Sequence, residues 1–186
     1  MGRPGLLGAL LAIALLGAPA SLRADDLNAL QQAAQTAEAA GDAPVSIVAL
    51  SKLLRAVRAS GDPVAEADTL ARLGRVLRGA GRYQEALARF EEARTLDQAG
   101  GHRVGLAADL AELATTYARL GDSRKAAALH RDAARLYQDL GEPRSAADAL
   151  VHLGIDRRDI LDAQFQRLAL RLPGFAFGLG DDALDG

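Results

Sequence analysis

The 186-residue chain has no cysteine and no tryptophan, a single methionine, and only 4% aromatic residues. The lack of cysteine excludes disulfides, thiolate zinc sites, iron–sulfur clusters and cysteine nucleophiles together. So few aromatics leave no platform on which sugars or bases could stack. Charge of one sign is missing too: 22 Lys and Arg against 24 Asp and Glu leave a formal net charge of −2. Binding to nucleic acid usually needs a basic face, and none is indicated. What remains is 49% apolar and 25% charged, the balance of a folded soluble chain. The length allows one to one and a half ordinary domains and excludes a large multidomain enzyme.

The longest apolar run is Leu6 to Gly17, which follows Arg3 and precedes Ala18-Pro19-Ala20. A spanning helix needs about 20 apolar residues, which this run does not reach. A positive start, a short apolar stretch and small residues at the cleavage positions are the layout of a secretory signal peptide. Residues 1–20 are therefore expected to be removed, after Ala20 or after Ala24, leaving no stable membrane anchor. Only Lys52 and Lys125 of the bases are lysine. With the abundant Ala and Gly, this composition suits a GC-rich bacterial genome and a periplasmic or secreted location.

Glycine marks a repeat. Gly41, Gly81 and Gly121 stand forty apart, and Gly61, Gly101 and Gly141 form a second series halfway between them. The repeating unit is thus two elements, each about 17 residues long and followed by a short turn. Between the glycines the apolar residues keep helical spacing: Leu70, Leu73, Gly74 and Leu77, then Leu110, Leu113, Ala114 and Tyr117 forty residues on. Glycine suits the left-handed residue after a helix. Asp42, Asp62 and Asp122 suit N-caps, and Pro44, Pro63 and Pro143 fit first turns. The spacing predicts helices over 26–40, 44–59, 63–79, 83–99, 103–120, 123–140, 143–158 and 159–171, with no strand.

The segment Leu70-x2-Leu73-Gly74-x2-Leu77, then Gly81-x-Tyr83-x2-Ala86-x3-Phe90-x2-Ala93, resembles a tetratricopeptide repeat. A second copy runs through Leu110, Leu113, Ala114, Tyr117, Gly121, Ser123, Ala126, His130 and Ala133. A looser one lies around Leu30, Ala34, Leu50 and Leu53, and a last one starts at Leu150, Leu153 and Gly154. Ordinary members of that family repeat every 34 residues. The forty-residue period matches the longer branch that includes kinesin light chains. The resemblance implies an all-α, helical-hairpin repeat solenoid of about 3.5 repeats. Residues 21–172 would form the repeat domain and 173–186 a capping or disordered tail. Small residues would let paired helices approach, with Phe90 and Tyr117 filling the space between neighbours.

The resemblance also implies a concave groove lined by the first helix of each pair. Asp68, Arg72, Arg75 and Arg78 lie opposite the Leu70/Leu73/Leu77 stripe; the forty-residue frame puts Gln35 and Glu38 before them. The same frame puts Glu112, Thr115 and Arg119, then Asp148 and His152, after them. Gln35, Asp68, Arg72, Arg75, Arg78, Thr115 and Arg119 are the candidate partner-binding residues. Arginines at this spacing can grip carboxylates, so an acidic peptide or protein segment is the expected partner. The bland reading is a solvated face, with Asp68 pairing to Arg72 at i,i+4.

No catalytic constellation, metal set or cofactor motif stands out. His130 takes the place of Phe90 and is expected in the core, and no two histidines fall at helical ligand spacing. Nucleophile-elbow, phosphate-loop and dinucleotide motifs are missing. Residues 178–186 are similar to one calcium-binding nonapeptide repeat of exported bacterial toxins, but such a site needs several stacked turns. The sequence thus points to a non-catalytic adaptor without cofactor. A structural subunit that self-associates through the C-terminal repeat edge, as a homodimer, is the alternative.

Overall fold

The computed structural model describes residues 24–154 and residue 158. The signal segment 1–20, the helix expected over 159–171 and the tail 173–186 lie outside the described residues. Among those described, seven helices and no strand are found. They are α1 (Ala24–Ala39), α2 (Ala43–Ser60), α3 (Pro63–Gly79), α4 (Tyr83–Gly100), α5 (Arg103–Arg119), α6 (Ser123–Asp139) and α7 (143–154). The chain divides after Gly105, in the first turn of α5, into two compact units.

Local chemistry sets the helix ends. Asp42 accepts from the Val45 N–H at 3.1 Å, and Asp122 from that of Lys125 at 3.1 Å. Asp62 accepts from two amides, Val64 at 3.0 Å and Ala65 at 3.1 Å, satisfying donors that a helix start leaves free. Pro44 and Pro63 sit in first turns, where no amide is needed. At the other ends, Gly61 and Gly101 take φ of 72° and 70°, which a side chain would resist. All six turn glycines of the two sequence series share this positive φ.

In the first unit α1 packs on α2, α2 on α3 and α3 on α4. Leu50, Leu53, Val57, Leu70, Leu73, Leu77 and Phe90 fill its core. Gly74 is required there: a Cβ at that position would stand 2.6 Å from Phe90 Cε1, and the ring is fully buried. Asp97 closes the turn into α5. Its carbonyl accepts from the His102 N–H at 2.9 Å, and its buried carboxylate lies so near Gly105 that a Cβ would fall 1.8 Å from Oδ2. Burial raises the Asp97 pKa, opposed by the nearby His102 ring.

In the second unit Ala133, Ala134 and Ala149 form a cluster, with Leu110, Ala111 and Tyr137 packed against it. His130 is buried, as the place of Phe90 requires. Tyr117 departs from expectation: instead of filling the interior it is half-buried, and its hydroxyl lies 2.6 Å from Lys125 Nζ. The phenol keeps its polar end at the surface, where an ammonium also lies 3.9 Å from the ring centroid.

Candidate partner-binding surface

In the first unit the α3 residues turned from the core do not behave alike. Asp68 and Arg75 are exposed, and so is Gln35 on α1; Arg72 and Arg78 are half-buried. The Arg72 side chain is only 13% exposed and grips Glu38 of α1 with two nitrogens, Nη2 on Oε2 and Nε 3.4 Å from Oε1. This two-point ion pair across helices takes the place of the Asp68–Arg72 pair that helical spacing suggests. A bidentate, partly buried pair outcompetes a single contact on a solvated face. Arg78 lies with its guanidinium 5.6 Å from the Phe90 ring centroid, so much of its role is packing. Arg75 lines an open cleft of about 370 Å³ with Glu38, Ser46 and Val76.

In the second unit the candidate residues of α5 are Thr115 and Arg119. Arg119 is exposed in the last turn. The Thr115 hydroxyl donates to the Ala111 carbonyl at 2.9 Å, and its side chain helps to line a cavity of about 280 Å³. Glu112 of α5 and Asp148 and His152 of α7 join it there, as do His130, Tyr137 and Ser145. The forty-residue frame had put Glu112, Thr115, Asp148 and His152 on one kind of face, and the fold brings these four to one cavity. Tyr137 and Ser145 were not foreseen. Their counterparts forty residues earlier, Asp97 and Gly105, share neither residue type and gave no signal.

The rings of His130 and His152 stack at 5.2 Å between centroids, 15° from parallel. Burial, with a smaller contribution from His152, pushes the His130 pKa down to about 4, so this imidazole is neutral near pH 7. Burial also raises the Tyr137 pKa, and the Glu112, Asp109 and Glu142 carboxylates add to the rise. Among the described residues no group of three or more His, Asp or Glu is placed to hold a metal ion, and no helix is long and apolar enough to cross a membrane.

The hairpins set Gly74 against Phe90, and in the next copy Ala114 and His130 hold the matching positions. Residues 65–139, running from α3 through α6, match the family model of the tetratricopeptide repeat. These residues are tetratricopeptide repeats. No curated protein matches the chain. Among solved structures, it is similar to a signal-transduction ATPase with a tetratricopeptide repeat sensor from Pyrococcus horikoshii, at 24% identity and a TM-score of 0.59. That match covers 62% of this chain and 18% of the other. It is also similar to the apo form of RapI, at 12% identity and a TM-score of 0.70, over 88% of this chain and 59% of that one. A third similar structure is a kinesin light chain-like protein of nearly identical tetratricopeptide-like repeats from Podosopora anserina. Here identity is 18%, the TM-score 0.63, and the coverage 89% of this chain and 81% of the other. At these identities the likeness is one of fold. The chain spans under a fifth of the first structure and under two-thirds of the second. The tetratricopeptide repeats account for the helical-hairpin architecture expected from the sequence.

Proposed function

We propose that this protein is a non-catalytic adaptor that binds a protein or peptide partner through the outward faces of its first helices, in the periplasm after removal of residues 1–20. The observation that carries this reading is the lining of the two clefts. In each unit the first-helix positions turned from the core gather charged and hydroxyl side chains at a concavity: Glu38 and Arg75 in one, Glu112, Thr115 and Asp148 in the other. Concavities with a few convergent polar groups are the usual form of a recognition site.

In-cell crosslinking of the exported protein, with mass spectrometry of what is captured, tests the reading. Arg75→Glu should remove the partner and leave the helical circular dichroism unchanged, because Arg75 is exposed and lies off the core. The mature N-terminus should begin at Ser21 or Asp25. A lost partner with lost helicity would make Arg75 structural. A second reading, self-association through the C-terminal repeat edge, draws on the exposure of Leu150 (45%) and Val151 (62%) on α7.

A further inference from the structure

The cavity of the second unit has a counterpart in the repeat frame that shows what it lacks. Forty residues earlier, the places of Ala108, Glu112, Thr115 and His130 are held by Asp68, Arg72, Arg75 and Phe90. Two arginines and a large ring have thus given way to a carboxylate, a hydroxyl and a smaller ring. All four exchanged residues line the space of about 280 Å³, together with Tyr137 and Ser145, which are larger than their counterparts Asp97 and Gly105. Among the described residues no lysine or arginine lines it. Its formally charged lining residues at neutral pH include Glu112 and Asp148, and the buried His130 adds no positive charge there. The first unit supplies the chemical precedent: at this position of the repeat Arg72 is half-buried and held at two points by a carboxylate.

We propose that the α5–α7 cavity is a subsite for a guanidinium side chain, an arginine presented by the partner. The arginine enters where the earlier repeat uses its own. Asp148 receives the cation, with Glu112 adding negative potential while keeping its other contacts. The hydroxyls of Thr115, Ser145 and Tyr137 offer acceptors for remaining N–H groups, and Ala108, Ala111 and Ala149 leave room for the stem. The inference rests on the adaptor reading above, and reverses for this unit the expectation of an acidic partner.

The test uses the full chain and an acetylated, amidated Gly-Arg-Gly tripeptide, with its citrulline counterpart as an uncharged isostere. Binding is followed by saturable amide chemical-shift changes. The arginine peptide should shift residues of α5 and α7 and bind at least roughly tenfold more tightly than the citrulline peptide, about 1.4 kcal/mol. Asp148→Asn should weaken binding by a similar factor. Thr115→Arg, which restores the arginine that Arg75 supplies one repeat earlier, should fill the site and abolish binding with helicity intact. Equal binding of the two peptides, undiminished binding in Thr115→Arg, or no saturable shift would each overturn the proposal. If partner crosslinking survives in both variants, this subsite is wrong and the adaptor stands. If the arginine peptide binds as described but no partner crosslinks, the adaptor reading fails alone.

Discussion

The contact of Gly74 with Phe90 states in one pair how this core is packed. Position 74 and its equivalents read Ala34, Gly74 and Ala114; position 90 and its equivalents read Leu50, Phe90 and His130, all buried. The largest ring meets the smallest residue, and in the other copies the smaller residue at position 90 is matched in register by an alanine. Gly74→Ala therefore gains helix propensity but drives a methyl into a fully buried ring, and overpacking of this kind costs about 1–3 kcal/mol. Urea unfolding should show a net loss of stability. Adding Phe90→Leu, which reproduces the Ala34–Leu50 pair, should recover most of it, a non-additivity that marks direct contact.

His130 carries a second prediction at the same scale. Its pKa falls from 6.5 to about 4 in the folded chain, so the folded state holds fewer protons than the unfolded one between those values. The stability given by the neutral ring is fully present above pH 6.5 and is lost as pH falls toward 4. The drop amounts to about 3 kcal/mol. Thermal melts across that window should show it, and His130→Leu should flatten the slope. That His130 is buried was legible from its register with Phe90. Its stacking on His152 was not, because a ring contact between two helices depends on how they pack and not on spacing along either one.

At the scale of the element, helix ends were the most legible feature, since both the signal and the structure are local. Asp62 lies two and three residues from the amides it caps, and Gly61 and Gly101 end α2 and α4 by their own backbone angles. Asp62→Ala should cost about 1 kcal/mol by denaturant melting. Arg82 is a useful control: it occupies the matching place before α4 without a side-chain cap bond, so Arg82→Ala should not produce the loss of a cap. The face of α3 was legible as a set of residues but not as a set of roles. Helical spacing offered Arg72 to Asp68, whereas its partner Glu38 lies 34 residues away in sequence. Arg78 shared the register of Arg75 and yet sits against Phe90. Rotamer choice and non-local charge separate these arginines, and neither is written in a periodic pattern.

At the scale of the whole molecule, repetition does most of the specifying. A forty-residue frame carried from one copy to the next gave seven helices to within two residues at every end that the described residues show, and it gathered four of the residues that meet in the second cavity. It was silent on Tyr137 and Ser145 because neither shares a residue type with Asp97 or Gly105, its counterparts. The frame also bears on assembly. Leu150 and Val151, adjacent in sequence, stand exposed as a short apolar strip on α7. If that strip covers a second copy, sedimentation of the protein should give a mass that rises with concentration, and Val151→Glu should return it to that of one chain.

The interlock of positions 74 and 90 limits how such a chain can change by duplication. Unequal exchange between copies is harmless when the breakpoint falls in a glycine turn between hairpins, for each hairpin then travels with its own matched pair. A breakpoint between Gly74 and Phe90, or between Ala114 and His130, would join an alanine to the large ring in one product and a glycine to the imidazole in the other. One hybrid is overfilled and the other hollow. The hairpin, rather than the helix, is therefore the unit in which this array can be lengthened, shortened or shuffled.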